Sequence, residues 1–446
     1  MTSLQNTKHH LVNLSPPSLL ALGFLSFILI GTSLLKLPIS HHGELSWIQA
    51  LFTSTSAVTI TGLSVVNVGE AYTTFGKVII MMLLQCGGLG FMTFAILAAL
   101  SLSSNVRLRQ QMMAQETIGQ TSLTKVSVTI KGVLIYSLFF EAMGTIILTI
   151  AWMQEYDFVH AFFYAAFYSV SAFNNGGFSL FPNSLMSFSG QYFITFTISM
   201  LYIIGGIGFV VLMDIKRNGR WKKLSPNSKL ILSTIAGLNL TAFILIWILE
   251  AHNPLTLANM SFGDQAVNAW FHATVPRSSG FNSLDVSSMT NASTLVTMML
   301  MFIGGGSLST AGGIKVGTFI IVILSVITFL RRTEELRLFN HSVSKNTSFK
   351  ALAVVSITAI LIFIGMFSLL LLEPDKNFLD LLFEAVSAAC TVGLSRGVTE
   401  QLQPSSLMVL ICLMFAGRLG PLTLAYLIAT PQKSHLKHPP ADIQIG

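Results

Sequence analysis

Four short segments of this chain end in a glycine and carry backbone chemistry. They are Thr59-Ile60-Thr61-Gly62, Asn174-Asn175-Gly176-Gly177, Arg277-Ser278-Ser279-Gly280 and Cys390-Thr391-Val392-Gly393. None contains a carboxylate or a histidine, so the ligands on offer are chiefly carbonyl oxygens. Carbonyls from several segments, arranged in rings about one axis, replace the hydration shell of an alkali cation. Glycine suits such a corner because it adopts positive φ and lets backbone come close to the ion. The competing reading is four turns with structural duty only.

The four segments are relatives. With the four glycines superposed, Phe52, Phe167, Trp270 and Phe383 stand ten residues earlier, and Ser56, Ser171, Thr274 and Ser387 six earlier. Leu63, Phe178, Phe281 and Leu394 follow directly, then Ser64, Ser179, Asn282 and Ser395. The glycines lie roughly 100–115 residues apart, far beyond the period of solenoid repeats. Four degenerate helix–turn units predict a pseudo-fourfold object whose corners meet at its axis. The hydroxyls six residues back can tie helix to corner; packing by small residues between helices accounts for them equally well.

The elements that must position these corners lie in a membrane. The chain is 52% hydrophobic and 10% charged, with mean hydropathy +0.70, whereas a soluble domain carries about 25% charged residues. A full span needs about 20 apolar residues, and 10–14 suggest a re-entrant segment. The long runs are Leu19–Leu37 and Val78–Leu102, Gly132–Trp152 and Gln191–Met213, Leu230–Leu249 and Thr294–Leu330, and Leu352–Leu372 and Ser406–Ala429. Between the members of each pair lies a half-length run: Trp47–Val58, Phe158–Phe173, Gln265–Val275 or Phe378–Ala389. The expected fold is an all-α membrane protein of four covalently linked repeats. It has eight transmembrane helices and four re-entrant pore loops. The layout is a tail at 1–17, repeats at 18–103, 126–215, 228–331 and 350–430, and a second tail at 431–446. The first apolar run lacks a small-residue cleavage site and reads as a retained span.

Charge orients the chain. Lys8, Arg107, Arg109, Lys216, Arg217, Lys222, Lys223, Lys229, Arg331, Arg332, Lys345, Lys350, Lys433 and Lys437 fall on the tails or inter-repeat loops. The positive-inside rule makes that side, with both termini, cytoplasmic. The opposite loops carry Glu44, Glu70, Glu155, Asp157, Asp264, Asp285, Glu373, Asp375, Asp380 and Glu400. Those acids would concentrate cations at an outer mouth; acids merely populating outer loops is an equal account. The net charge of +7 thus reports lipid topology, with no nucleic-acid partner. Cys86, Cys390 and Cys412 fit neither a disulfide framework nor a zinc site. No catalytic constellation appears, and no organic cofactor is expected.

Thr294–Leu330 is too long for one straight span. Its middle holds Gly304, Gly305, Gly306, Ser307, Ser309, Thr310, Gly312, Gly313 and Lys315. This composition predicts an irregular intramembrane loop between two half-helices, beside a cavity. It lacks the spacing and preceding strand of a phosphate loop. Arg418 is a charge near mid-span, a functional residue by default. It lies 25 residues beyond Gly393, as Gly305 does beyond Gly280, so the two should share a depth. Gly87-Gly88-Leu89-Gly90 and Gly205-Gly206-Ile207-Gly208 read as close helix packing. Arg277 is expected to brace its corner through carbonyls or an acid such as Asp264. Glu141 and Glu384 are expected to face protein interior.

SAVTITGLSV, SAFNNGGFSLF, ATVPRSSGFN, SAACTVGLS and GGGSLSTAGGIK together resemble the Ktr/Trk/HKT superfamily of potassium transporters. The resemblance runs over about Leu19–Ala429 and is greatest to the bacterial KtrB-type membrane subunits. It implies a pore-forming subunit for potassium uptake in the bacterial inner membrane, stimulated by sodium. It also implies a homodimer on a cytosolic nucleotide-binding regulatory ring (KtrA-like). The filter glycines would be Gly62, Gly177, Gly280 and Gly393, with potassium held at the filter, and the gate the glycine loop with Arg418. At Gly176 the resemblance leads one to expect alanine. The alternative is an ungated or sodium-permeable four-repeat cation channel. A voltage-gated channel needs arginine at every third residue of one helix, which is absent here.

Overall fold

The computed structural model describes residues 16–90, 123–307, 309–333, 335–339 and 341–428. Residues 1–15, 91–122 and 429–446 lie outside the described residues, and with them most of both tails, Arg107 and Arg109, and the end of the first repeat's second run. The architecture is helical: α1 (Pro16–Leu35), α2 (Trp47–Val58), α3 (Thr74–Leu89), α4 (Leu123–Trp152), α5 (Phe158–Phe173), α6 (Tyr192–Ile207) and α7 (Phe209–Asn218). There follow α8 (Pro226–Glu250), α9 (Phe262–Thr274), α10 (Asn291–Phe302) and α11 (Val316–Leu330). A two-stranded hairpin, β1 (Leu336–Leu338) with β2 (His341–Val343), precedes α12 (Lys345–Leu372), α13 (Phe378–Ala389), α14 (Pro404–Leu419) and α15 (Pro421–Ile428).

The four short helices α2, α5, α9 and α13 start at a polar residue that accepts from an orphan N–H of the first turn. These caps are Ser46, Asp157, Ser261 and Asn377. Ser46 and Gln49 complete a reciprocal capping box. Each short helix then runs inward, and its last turns are buried. Phe52, Phe167 and Phe383 are fully buried, as the phenylalanine column requires. In α9 the interior place is taken by Phe271, while Trp270 turns to a lateral cavity shared with Tyr192, Phe196 and Phe243.

The long helices show the opposite pattern. Ile146, Ile248 and Phe363 are exposed, with relative exposures of 62%, 68% and 71%. An apolar exterior on this scale marks a lipid-facing surface. Among the described residues, Lys131–Trp152, Pro226–Glu250 and Lys345–Leu372 are long and apolar enough to cross a membrane unaided.

The second helices depart from eight continuous spans. Helix α3 stops at Gly90, α6 at Gly208 and α14 at Gly420, each glycine at positive φ. At Gly208 the chain bends by 91° into α7. The φ of +106° there lies outside the helical region and breaks the hydrogen-bond ladder. In the third repeat the break between α10 and α11 is the longer glycine loop expected for it.

Just before the breaks, small residues do allow close packing. A Cβ on Gly87 would lie 2.1 Å from the carbonyl oxygen of Val58, on Gly205 2.0 Å from that of Phe173, and on Gly417 2.1 Å from that of Ala389. Those three carbonyls belong to the last residues of α2, α5 and α13. Backbone cannot yield to a Cβ at that distance. Gly205→Ala should therefore lower the melting temperature of the purified protein, with a cost of about 1–3 kcal/mol. Gly237→Ala, where nothing lies within 4 Å, should leave it at or above wild type.

Candidate functional site

The short helices α2, α5 and α13 end in one hydrogen-bond pattern. Ile60 N–H donates to the Ala57 carbonyl and Thr61 N–H to that of Ser56. Asn175 and Gly176 donate likewise to Ala172 and Ser171, and Thr391 and Val392 to Ala388 and Ser387. This is the paired bonding of a Schellman cap, which demands a left-handed residue just past the helix. That place is held by Ile60 (φ +55°), Asn175 (+61°) and Thr391 (+49°), none of them glycine. The third segment differs in which carbonyl its donor reaches. There Ser279 N–H bonds the Val275 carbonyl, and Ser278 takes φ +77°.

Two residues on from these positions stand the four glycines, with φ of +93° at Gly62, +67° at Gly177, +70° at Gly280 and +94° at Gly393. They are neighbours in space. A Cβ on Gly62 would lie 3.1 Å from Gly177 Cα, on Gly177 2.7 Å from Gly280 Cα, on Gly280 3.4 Å from Gly393 Cα, and on Gly393 3.0 Å from Gly62 Cα. The same probes face carbonyl oxygens in rotation: Gly176 at 2.6 Å, Ser279 at 2.8 Å, Val392 at 3.0 Å and Thr61 at 2.1 Å. Each glycine thus faces the carbonyl just ahead of the next glycine, and the ring closes. Gly176 is accounted for by Leu84, whose Cδ2 lies 2.4 Å from where an added Cβ would sit.

The hydroxyls six residues back have different tasks. Ser56 Oγ accepts from Gly62 N–H at 3.0 Å, and Ser387 Oγ from Gly393 N–H at 3.1 Å. Ser171 Oγ donates to the Phe178 carbonyl at 3.0 Å. Thr274 bonds Tyr202 across to α6 at 2.6 Å and does not reach its corner.

The glycine loop packs directly on the corners. Thr310 Oγ1 donates to Asn175 Oδ1 at 2.9 Å. Gly312 N–H donates to Ser278 Oγ at 2.8 Å, and that hydroxyl donates to the Thr391 carbonyl at 2.6 Å. A Cβ on Gly312 would lie 1.8 Å from Thr391 Oγ1. Gly304 N–H and Ile314 N–H close the base of the loop on Ile314 and Phe302 carbonyls. Gly306 N–H bonds the Gly206 carbonyl, and a Cβ on Gly305 would lie 2.6 Å from Ala311 Cβ. Ser309 and Lys315 hold the Gly306 and Ala311 carbonyls, while Gly313 takes φ +66°. Ser307 is half-buried in this loop. Arg418 Nη1 donates to the Thr310 carbonyl at 2.8 Å and Nη2 to the Gly87 carbonyl at 3.0 Å. It meets the middle of the loop, and a second repeat as well.

Arg277 corrects an expectation. It is buried and donates to Asn239 of α8, while its Nε and Nη1 have no partner among the described residues. Asp264 bonds Ser261 in the first turn of α9, at the far end of a helix that rises about 1.5 Å per residue. It is too remote to reach Arg277. Glu384 is buried and accepts from Ser395, Thr399 and the Arg396 N–H. Glu141, also buried, accepts from Gln85 and Asn174.

Several acids at the helix ends flanking the corners are occupied. Glu250 accepts from Thr290 N–H and Glu373 from Gln403 N–H, capping α10 and α14. Burial works against ionisation of Asp285, yet the Ser288 and Ser287 hydroxyls outweigh it and hold the carboxyl below the usual carboxylate range. Capping accounts for these three acids without any steering of cations. Arg396, which pairs with Asp380, was not foreseen. Its signal was available, since it is the one charge three residues past a corner glycine, opposite Val65, Leu180 and Ser283.

A closed ring of glycine corners inside an apolar helical shell defines a class: helical membrane proteins built around a central backbone cluster. Comparison with known proteins narrows this. The family described as "TrkH: Cation transport protein" matches residues 19–229 and 228–437. Ktr system potassium uptake protein B of Bacillus subtilis is 42% identical over 98% of both chains. Potassium/sodium uptake protein NtpJ of Enterococcus hirae is 33% identical over 97% of this chain and 98% of its own. The crystal structure of the potassium transporter TrkH from Vibrio parahaemolyticus shares the fold, with TM-score 0.72 and 20% identity. It covers 91% of this chain and 84% of that one. The chain belongs to the TrkH cation transport protein family.

Ser387→Ala would strip the buried Gly393 N–H of its acceptor, at a cost of about 1–3 kcal/mol. The expected result is a lower melting temperature for Ser387→Ala than for Ser171→Ala, measured on purified protein. Ser171 serves a carbonyl, a group for which lost partners are better tolerated.

Proposed function

We propose that this chain is the pore-forming membrane subunit of a bacterial potassium uptake system, conducting K+ through one glycine corner per repeat. The closed ring of carbonyls ahead of Gly62, Gly177, Gly280 and Gly393 carries this reading. Four carbonyl dipoles aimed at one axis replace water around an alkali ion. The short helices α2, α5, α9 and α13 end at the ring, so their partial negative charge favours a cation there. Thr59–Thr61, Asn174–Gly176, Arg277–Ser279 and Cys390–Val392 are the flanking filter residues. The relatives named for potassium uptake support the choice of ion. The relative named for potassium and sodium uptake supports sodium as a coupling or activating ion, and equally the reading of a sodium-permeable channel.

The glycine loop with Arg418 is the gate on this reading. It bonds two residues that neighbour filter glycines, Asn175 and Ser278, and a guanidinium against it opposes a passing cation. The subunit works as a homodimer in the inner membrane, docked on a cytosolic nucleotide-binding ring through Lys216–Lys229 and Arg331–Lys350. Family membership supports this assembly, and the basic loops suit an acidic partner or anionic headgroups.

Rubidium flux into liposomes, competed with sodium, tests the filter. Changing any of the four glycines to serine adds a side chain at positive φ in a ring without room for one. Discrimination of potassium over sodium should fall about tenfold or more, roughly 1.4 kcal/mol. Unchanged selectivity in all four would sink the filter assignment.

The gate is tested in the same liposomes, without the ring. Deleting 306–312, or Arg418→Gln, should raise flux at least severalfold. Flux no faster than wild type from well-folded deletion protein would overturn the gate.

A further inference from the structure

Arg396 joins two repeats directly above the fourth corner. Its side chain is 10% exposed, and all three guanidinium nitrogens are used. Nε donates to Asp380 Oδ1 at 2.6 Å, in the first turn of α13. Nη1 donates to the Val286 carbonyl at 3.0 Å and to Thr294 Oγ1 at 2.9 Å. Nη2 donates to the Ser287 carbonyl at 3.1 Å. Val286 and Ser287 follow the third corner, and Thr294 lies in the first turn of α10.

The backbone of the same residue is held from the other side. Arg396 N–H donates to Glu384 Oε1 at 3.0 Å, as does Ser395 Oγ at 2.6 Å, while Thr399 Oγ1 donates to Glu384 Oε2 at 2.5 Å. The strand leaving Gly393 is therefore pinned to its own short helix by Glu384, and to the third repeat by Arg396. The corresponding positions Val65, Leu180 and Ser283 can form no such fork.

Resting on the filter reading above, we infer that Arg396 is a positioning residue for selectivity: its cross-repeat clamp sets the spacing between the third and fourth filter corners. The ring places Gly280 against both the Val392 carbonyl and Gly393. A shift of the strand beyond Gly393 moves that carbonyl relative to the third corner. Pairing with Asp380 also neutralises a cation that would otherwise face incoming potassium. A planar, five-donor fork meets four acceptors in fixed directions, which lysine cannot do.

The test compares Arg396→Gln, Arg396→Lys, Asp380→Asn and Gly393→Ser by rubidium flux with sodium competition, on purified protein of measured melting temperature. Hydrogen bonds from charged groups of this kind set the scale, so Arg396→Gln should raise the KM for rubidium and lower its discrimination against sodium by about tenfold. Maximal flux should be retained. Arg396→Lys should not rescue. Asp380→Asn, which removes the charge of one acceptor and leaves the other three untouched, should give a smaller shift of the same sign. Wild-type KM and selectivity in Arg396→Gln beside a defective Gly393→Ser would overturn the clamp and leave the filter standing. Unchanged selectivity in both, and in the three other glycine-to-serine variants, would overturn filter and clamp together; unchanged selectivity in Arg396→Gln and Gly393→Ser alone would overturn the clamp. Lost maximal flux at unchanged selectivity, or full rescue by lysine, would reduce Arg396 to a general structural brace and overturn the inference. If Arg396→Gln does not fold, Asp380→Asn decides alone: a selectivity shift supports the clamp, and none overturns it.

Discussion

Four glycine corners packed backbone to backbone in a closed ring leave no room for side chains, and the chain must bend sharply to build each one. The bend is made by eight residues at positive φ, two per corner: Ile60 and Gly62, Asn175 and Gly177, Ser278 and Gly280, Thr391 and Gly393. Glycine takes this conformation freely, and asparagine tolerates it. Isoleucine and threonine are β-branched, so their left-handed placement is strained by about 1–3 kcal/mol each. Such strain persists only where the surroundings over-determine it. Here the two Schellman bonds of α2 and α13, and the Ser56 and Ser387 hydroxyls on the next glycine, supply that constraint.

The ring is nearly uniform while its supports are not. Corners one and four share cap and hydroxyl. The second keeps the cap but turns its serine toward Phe178. The third lacks the paired cap, since Ser279 N–H bonds Val275, and it borrows support from outside: Arg277 reaches Asn239, and Ser278 bridges Gly312 to the Thr391 carbonyl. Both the glycine loop and the unusual corner belong to the third repeat. A corner without its own helix cap needs neighbours, and the loop is the nearest source of them.

Much of this was legible before any coordinates. The half-length apolar runs over Trp47–Val58, Phe158–Phe173 and Phe378–Ala389 coincide with α2, α5 and α13, because each is bounded by a polar cap and a turn residue. The glycine column was legible because positive φ at close backbone approach admits little else. The helix breaks at Gly90, Gly208 and Gly420 were not, since a glycine triplet reads equally as tight packing, and Gly87, Gly205 and Gly417 do pack tightly. The partner of Arg277 was hidden because Asn239 is distant in sequence and neutral, whereas charge matching pointed to Asp264. Arg396 is hidden in the repeat columns because those columns display what the repeats share, and at its position they share nothing: Val65, Leu180, Ser283 and Arg396.

The same hydrogen bonds that brace the ring tie it to the loop. The Thr391 carbonyl accepts from Ser278, whose oxygen accepts from Gly312. Asn175 receives Thr310, and the Thr310 carbonyl receives Arg418. On the proposed reading, a loop that withdraws to let ions pass leaves Ser278 and Asn175 without these partners, one residue from the Ser279 and Gly176 carbonyls of the ring. Conduction and selectivity are then not independent, because the closed loop helps hold the geometry that discriminates. On that reading corner one, with cap and hydroxyl of its own and no bond to the loop among the described residues, is the least coupled to it, while corner four touches the loop through Thr391. By the same reading the burden of change falls on corners two and three, which lend Asn175 and Ser278 to the loop, and the Arg396 fork lies between the third corner and the fourth.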